Sequence, residues 1–465
     1  MLQPKTALAS PGERRARMFN ERMARRAYLA FVAALWALTI VGIFVKHPMF
    51  AMATATLLAG FIAASLVTTT WENWLPSVVI LAAIVVLVLV DGSWGDVEAR
   101  LNESLNLLAL LGTLQFVRLV AQRDPRMHGF RRQIMAQPLN RRPAWLLLAS
   151  NLFGSVLGSG STAALSSTLH IRADMAVRRA SAIAVIAGCS LSTAWSPVFV
   201  SIAIVTSYAP ATPVWQTILV GMGLTVIGMT TALWIIGIER PFRAAGQAVR
   251  AAAPLLPLIA AAGLAVVLLS SLGLNTMEAT SLALPPLALV LMLTYGKSAR
   301  SRVYGVARVS RLALLGVARS NGEIAMLALA FVLARLMGTS PAMADAVTAI
   351  GIANLPGFLS IPTVAFAILL VAPFGAHPMI VVSIVLAVLA PQDASIPQPF
   401  VLAAALLGWS AAAMISFTGF LVVISTRLFD LKRLDMILGS NLKLALIYTL
   451  VGTAYLMTLA AMFAP

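Results

Sequence analysis

Two apolar stretches of the chain carry hydroxyl side chains at the same spacing, each beginning with a glycine. They share the order Gly, Ser two positions on and Ser eight positions on: Gly188, Ser190 and Ser196, and Gly408, Ser410 and Ser416. The two sets are separated by roughly half the length of the chain. Pro197 ends the first set, and a proline removes a backbone hydrogen bond that hydrocarbon cannot replace. The pattern predicts two interrupted helices that line one binding site.

The composition places the chain in a membrane. It is 60% hydrophobic and 11% charged, with a mean hydropathy of +0.92, which soluble globular domains do not approach. The net charge of +17 lies in short basic clusters between apolar runs, a pattern that indicates membrane topology rather than nucleic-acid binding. The single cysteine, Cys189, excludes an internal disulfide and a multi-cysteine metal site, and its expected role is that of a small buried apolar residue.

Eleven stretches are long and apolar enough to cross a bilayer. They are 27–46, 49–68, 75–91, 104–121, 181–207, 214–237, 252–273, 279–295, 319–338, 399–426 and 442–463. This topology puts 30 of the 33 Lys and Arg residues on the cytoplasmic side, all except Lys46, Arg100 and Arg335. It also predicts a basic cytoplasmic loop at 122–142 and a helix along the membrane surface at 303–318. We expect a multi-pass inner-membrane protein with a cytoplasmic N-terminus and a periplasmic C-terminus.

Two further apolar stretches are predicted to enter the membrane and turn back. Basic clusters flank residues 145–170 on both sides, and a re-entrant hairpin keeps both clusters inside, whereas a single crossing would not. Residues 362–390 have acidic flanks and are expected to enter from outside. Each half then has a hairpin followed by an interrupted span, which predicts inverted repeats. The predicted divisions are 1–26 (basic tail), 27–142 (first scaffold spans), 143–207 (first hairpin and broken helix), 208–340 (connecting and second scaffold spans), 341–426 (second hairpin and broken helix) and 427–465 (last span).

The residues predicted to bind a solute lie at the two hairpin tips and the two interrupted spans. They are Ser159, Gly160, Ser161, Thr162, Gly188, Ser190, Thr193, Ser196, Pro197, His377, Pro378, Gly408, Ser410, Ser416 and Thr418. Free N–H groups at helix N-termini favour an anionic group, and unwound carbonyls can coordinate a small cation. Taken singly, a Ser or Thr in a membrane helix more often bonds to its own helix backbone, so the paired spacing carries the prediction.

Other single residues allow two interpretations each. His377 is either a proton-coupling or anion-contacting group or a helix-capping residue nearer the outer surface. Arg335 either extends to the outer interface, which is favoured, or neutralises an anionic solute. Trp195 and Trp409 are expected to pack beside the two interruptions. No acidic residue falls in the middle of a predicted span, so a cation–proton antiporter with a buried carboxylate and a channel with an acidic ring are disfavoured.

With its hairpins, broken spans and half-chain repeat, the protein resembles the ion transporter superfamily, which includes divalent anion–sodium symporters, citrate permeases and arsenite carriers. The resemblance implies an all-α, polytopic, elevator-type carrier with about 11 membrane helices and two re-entrant hairpins. It also implies a homodimer joined through spans 27–121. The dicarboxylate carriers have Ser-Asn-Thr at their hairpin tips, whereas the tips here read Ser159-Gly160-Ser161-Thr162 and Gly375-Ala376-His377-Pro378, which places the chain in a divergent branch.

Two functions from different classes fit these residues. The favoured one is a secondary active carrier for a small anion, an organic carboxylate, driven by a proton or sodium gradient, with no catalytic residue, metal or cofactor. The chain has no GxxxxGK[ST] run that would bind ATP. The alternative is a membrane component of envelope glycan or lipid translocation and assembly, in which the basic loop 122–142 would grip a polyanion or a phosphate headgroup.

Overall fold

Four long helices open the chain. In the computed structural model, the described residues are 11–45, 47–158, 160–165, 174–237, 241–295, 298–349, 351, 356–371, 377–389, 396–417 and 419–463, and within these ranges all regular elements are helices. The first four are α1 (Pro11–Phe44), α2 (Pro48–Thr68), α3 (Trp71–Asp91) and α4 (Trp94–Ala121). Gly92 ends α3 in the left-handed region, with φ of 66°, a conformation that glycine adopts without steric cost.

The next segment corrects the predicted loop at 122–142, because most of it is a helix, α5 (Pro125–Met135). The Asp124 side chain caps α5 by accepting a hydrogen bond from the Arg126 amide at 2.8 Å. Met127, Phe130 and Ile134 are buried on one face of the helix. Its basic residues therefore belong to an amphipathic helix packed on the protein, which period-3.6 apolar spacing produces.

The remaining helices follow in three groups. The first half continues with α6 (Arg142–Leu157), α7 (Gly160–Leu165), α8 (Met175–Ser192), α9 (Val200–Ser207) and α10 (Val214–Ile236). The middle of the chain forms α11 (Pro241–Ala252), α12 (Leu256–Ser271), α13 (Thr276–Tyr295), α14 (Ala299–Arg319), α15 (Asn321–Met337) and α16 (Pro341–Ala349). The second half ends with α17 (Gly357–Val371), α18 (Pro378–Leu389), α19 (Gln398–Ile415), α20 (Phe420–Leu428), α21 (Arg433–Met436) and α22 (Leu442–Met462).

The helix lengths make this a polytopic membrane protein. Within the described residues, ten helices are long and apolar enough to cross a membrane. The helices at 300–319 and 321–337, bent by 66° at Ser320, would together supply an eleventh span. The bend falls between the surface helix expected at 303–318 and the crossing expected at 319–338.

Close glycine contacts join the two pairs of helices on which the predicted site depends. Helix α6 packs along α8, and α17 packs along α19. A Cβ atom at Gly188 would overlap the carbonyl oxygen of Leu147 on α6, and one at Gly408 would lie 2.8 Å from the carbonyl oxygen of Ala365 on α17. Both glycines lie inside continuous helices, so they allow close helix packing and do not themselves interrupt the helix.

Arg335 has a structural role, and neither of the two sequence-based interpretations described it. Its Nε lies 2.7 Å from a Glu103 carboxylate oxygen, and Arg100 binds the other oxygen of that carboxylate at 2.6 Å. The guanidinium carbon also lies 5.1 Å from the ring centre of Tyr208 and 5.5 Å from that of Phe331. These contacts tie α15 to α4 and to the end of α9.

Gly188→Ala and Gly408→Ala should each lower the free energy of unfolding by about 1 to 3 kcal/mol, because the added methyl group forces the paired helices apart. Gly60→Ala is the matched control. A Cβ at Gly60, inside α2, meets nothing within 4 Å, so this variant should keep or slightly raise stability. Thermal unfolding of the three detergent-purified variants measures the effect. Unchanged unfolding of both Gly188→Ala and Gly408→Ala would contradict the close-packing role.

Candidate functional site

The first interruption lies between α8 and α9, at residues 193–199, and its backbone polar groups are bound by side chains. Ser201 donates to the carbonyl oxygen of Thr193 at 2.6 Å, and Thr225 on α10 donates to that of Leu191 at 3.2 Å. The Ser196 hydroxyl accepts from the Val198 amide at 3.3 Å. Because unpaired amides are costly in hydrocarbon, these bonds let the helix break inside the membrane.

Asn151 on α6 forms hydrogen bonds to α8 and to the first interruption. Its side-chain amide donates to the carbonyl oxygen of Gly188 at 3.1 Å, and its oxygen accepts from the indole nitrogen of Trp195 at 3.3 Å. Asn151 is almost fully buried. It joins α6 to the last turns of α8 and to the interruption itself, and an amide in an otherwise apolar helix is the sequence signal for this role.

The second interruption, residues 416–419 between α19 and α20, is held in a similar way. Asn441 donates from its side chain to the carbonyl oxygen of Met414 at 3.0 Å. The Arg433 guanidinium donates to the carbonyl oxygen of Phe417 at 3.2 Å and lies over the ring of that residue. Both interruptions therefore recruit polar side chains from a neighbouring element.

The two halves meet at these interruptions. Helix α8 contacts α19 directly, α20 contacts both α7 and α8, and α9 contacts both α18 and α19. Each broken helix thus packs against the other broken helix and against a helix of the hairpin from the opposite half. The geometry brings together elements that are distant from one another in sequence.

The predicted hydroxyls divide into two groups by their hydrogen bonds. Three are bonded within the protein: Thr193 donates to the carbonyl oxygen of Ser190, Ser196 to that of Ser155, and Ser410 to that of Leu406 while also facing the Tyr448 hydroxyl. Ser192, next to this set, donates to the carbonyl oxygen of Cys189. These hydroxyls stabilise helices and helix contacts.

The other group consists of buried hydroxyls that form no hydrogen bond of ordinary geometry. It contains Ser161, Thr162, Ser190 and Ser416, of which Ser161 interacts with the Cys189 thiol. All four are at most 1% exposed. Buried hydroxyls without a hydrogen bond cost free energy, so these side chains on α7, on α8 and at the second interruption are candidates for binding a ligand.

The turn between α6 and α7 lies against an arginine that we had counted, from the sequence, only as a topology charge. Gly158 has φ of +56°, and a Cβ atom there would lie 3.2 Å from Nη2 of Arg118. A Cβ atom at Gly160 would lie 3.2 Å from Cδ of Arg118. The two glycines let the guanidinium approach the turn, and the Cys189 thiol donates to the carbonyl oxygen of Gly158 at 3.3 Å.

His377 precedes α18, and its Nδ1 accepts a hydrogen bond from the Met379 amide at 3.2 Å. It therefore caps the helix that begins with Pro378. Glu323, in the first turn of α15, interacts electrostatically with both His377 and Arg118. Arg118 is in the last turn of α4, so the Gly158 turn and His377 both lie on the side where α4 ends and α15 begins.

The other predicted residues have structural contacts or lie outside the description. Pro197 packs on Gly263 of α12, and its carbonyl oxygen is within 3.5 Å of the Thr280 hydroxyl. Trp409 is buried, and Trp195 is partly exposed. Ser159, Gly375, Ala376 and Thr418 lie outside the described residues. Among the residues that the structure describes, no three His, Cys, Asp or Glu side chains are grouped so that they could hold a metal ion.

A search of solved structures found a chain of similar fold, the YdaH transporter of Alcanivorax borkumensis, whose crystal structure is described as having an unusual topology. The TM-score is 0.50 at 14% sequence identity, and the match covers 83% of this chain and 98% of that chain. At this identity the likeness shows a shared fold alone. No protein-family model matches the chain, and no curated protein does.

Asn151→Ala should lower the free energy of unfolding by about 1 to 3 kcal/mol, because it leaves the Gly188 carbonyl and the Trp195 indole without their partner. Asn106→Ala is the control, since Asn106 is partly exposed on α4 and its side-chain bond to Glu278 is 3.5 Å long. Thermal unfolding of both purified variants tests the difference. An Asn151→Ala protein as stable as Asn106→Ala would show that Asn151 does not hold the interruption.

Proposed function

We propose that the protein is a secondary active carrier for a small anion, a divergent relative of the ion transporter superfamily. The observation that carries the proposal is the group of buried hydroxyls without a hydrogen bond of ordinary geometry, Ser161, Thr162, Ser190 and Ser416, contributed by both halves. A carrier must bind its solute in a site reached alternately from two sides. Hydroxyls of this kind suit the task, because a solute that accepts or donates hydrogen bonds would satisfy them without breaking bonds that the fold needs.

The order of helices supports an elevator motion. Each half has a helix pair, a broken helix and a further long helix, and the second half repeats this order, as inverted repeats would. In this proposal the helices α6 to α9 and α17 to α20 move as one body past α4 and α15. The fold that the chain shares with a solved transporter supports this class of function.

Coupling to a proton or sodium gradient is part of the proposal, with no cofactor and no catalytic residue. His377 lies at the start of α18 and interacts with Glu323, so a proton that binds there would change the charge beside the site. A homodimer through residues 27–121, an inner-membrane location and a cytoplasmic N-terminus complete the proposal.

The alternative, a component of envelope glycan or lipid assembly, is less well supported. It places a polyanion or a phosphate headgroup on the basic residues of 122–142. Helix α5 instead packs against α6 and α11 through Met127, Phe130 and Ile134. This segment is built into the protein, and its packing gives no reason to prefer a polyanion partner.

Solid-supported membrane currents from proteoliposomes test the function directly. Benzoate, acetate, succinate, citrate and phosphate are applied under an imposed proton gradient and then under a sodium gradient. A carrier gives gradient-dependent currents or accumulation with at least one of these anions. Protein that is folded by gel filtration but gives none under either gradient would favour the assembly alternative.

Ser161→Ala with Ser190→Ala should lower the transport rate by about tenfold while leaving stability unchanged or raised, because each change removes a buried hydroxyl without a partner. Ser65→Ala is the control, since Ser65 on α2 is also fully buried and without a partner. It should give the same stability effect and normal transport. If transport falls equally in both proteins, or in neither, the two serines have no special role in the site.

A further inference from the structure

The last turns of α4 and α15 each carry an arginine, and the separation of Arg118 and Arg335 along the chain is close to that of Gly188 and Gly408. The two arginines have different partners. Arg335 is bound to the Glu103 carboxylate. The Arg118 guanidinium forms no hydrogen bond or ion pair within the described part of the chain, although Glu323 acts on it electrostatically. An arginine in the last turn of such a helix can thus form an ion pair within the protein, as Arg335 does. Arg118 forms no such direct ion pair within the described residues.

Arg118 is also placed where the proposed solute would be. Its guanidinium lies against the Gly158–Gly160 turn, directly before Ser161 and Thr162. The Thr162 hydroxyl forms no hydrogen bond, and the Ser161 hydroxyl interacts with the Cys189 thiol, which precedes Ser190. A partly buried guanidinium beside buried hydroxyls is a combination that binds a carboxylate strongly, because the hydrogen bonds are charge-assisted.

One side of the turn at Arg118 is apolar. A Cβ atom at Gly158 would lie 3.7 Å from the Phe199 ring. Val117 and Val198, which adjoin Arg118 and Phe199 in sequence, belong to one buried apolar cluster, and Val156 packs on it. An organic anion that binds at Arg118 can place its apolar body against this side. A small inorganic anion has no apolar body to place there, so it gains nothing in return for the part of its water shell that it loses.

The charged groups near the turn also limit the net charge of the substrate. In the part of the chain that the structure describes, Arg118 is the cation at the turn, and the nearby Glu323 carboxylate partly offsets it. One guanidinium opposed by one carboxylate favours a single negative charge over two or three.

We infer that Arg118 is a specificity-determining residue of the carrier and that it selects an organic monocarboxylate with an apolar body. This inference rests on the proposed function, because it names the substrate class of the same site. The carboxylate binds the guanidinium and the hydroxyls of Ser161 and Thr162, and the apolar body lies toward Phe199. Glu323 weakens binding by opposing the charge of Arg118, and this effect predicts opposite results for substitutions at the two positions.

Binding to detergent-purified protein, followed by the shift of the thermal unfolding midpoint, tests the inference without requiring transport. Benzoate is the probe, benzamide its neutral isostere, phthalate the dianion and acetate the carboxylate without a ring. Benzoate should raise the midpoint. Benzamide should not raise it, and phthalate and acetate should raise it less than benzoate at equal concentration.

The variants separate charge recognition from folding. Arg118→Gln should weaken benzoate binding at least about tenfold. Arg118→Lys keeps the charge but loses the planar guanidinium, so its affinity for benzoate should lie between those of Arg118→Gln and the wild-type protein. Arg123→Gln removes an exposed arginine just beyond the end of α4 and should bind benzoate normally. Glu323→Gln should tighten benzoate binding by about twofold to fivefold.

Three results would overturn the inference: no benzoate effect on the wild-type protein, equal effects of benzoate and benzamide, or unchanged benzoate binding in Arg118→Gln. None of them would remove the proposed carrier function, which gradient-driven currents and accumulation of labelled anion measure independently. Benzoate binding that depends on Arg118 in a protein that shows neither current nor accumulation would keep this site and reject the carrier.

Discussion

Every backbone polar group of an interrupted helix needs a partner inside a membrane, and this constraint shapes both halves of the protein. At the first interruption the partners are Asn151, Ser201 and Thr225, and at the second they are Asn441 and Arg433. They come from helices or turns packed beside the break, so each broken helix is stable only in the presence of its neighbours. The many hydroxyls in these stretches are explained mainly by this requirement.

Some buried hydroxyls are not explained by the need to pair backbone polar groups. Thr193, Ser196 and Ser410 are bonded within the protein, whereas Ser161 and Ser190 are equally buried and form no such bond. Residues that a fold does not need for its own hydrogen bonds are available for a ligand. The distinction between the two groups depends on hydrogen-bond geometry, and the spacing of serines along the chain cannot supply it.

The sequence predicts the class of fold well, because apolar runs of membrane length and the distribution of basic residues are direct consequences of the bilayer. Ten described helices meet the length and apolarity of a span, against eleven predicted spans. Predictions that depended on contacts were less complete. Residues 122–142 were expected to be a loop because their charges dominate the composition, but Met127, Phe130 and Ile134 recur with helical period and are buried.

The positions of Gly188 and Gly408 were recognised from the sequence, but their role was not. A glycine followed by serines indicates either a helix break or a close helix contact, and only the packing of α8 on α6 and of α19 on α17 distinguishes the two. The role of Arg118 cannot be recognised from the sequence for a related reason. At a helix end it resembles any cytoplasmic charge, and its proximity to Gly158 arises from a contact between segments that are not neighbours in sequence.

The central claim is that a solute binds between the Gly158–Thr162 turn, the α8–α9 interruption and the end of α4. The most direct measurement is an experimental density map of the protein with 4-bromobenzoate, whose bromine is located independently by anomalous scattering. We expect the carboxylate at Arg118, Ser161 and Thr162, with the bromine toward Phe199. A well-occupied bromobenzoate elsewhere in the protein, with none at this turn, would contradict it.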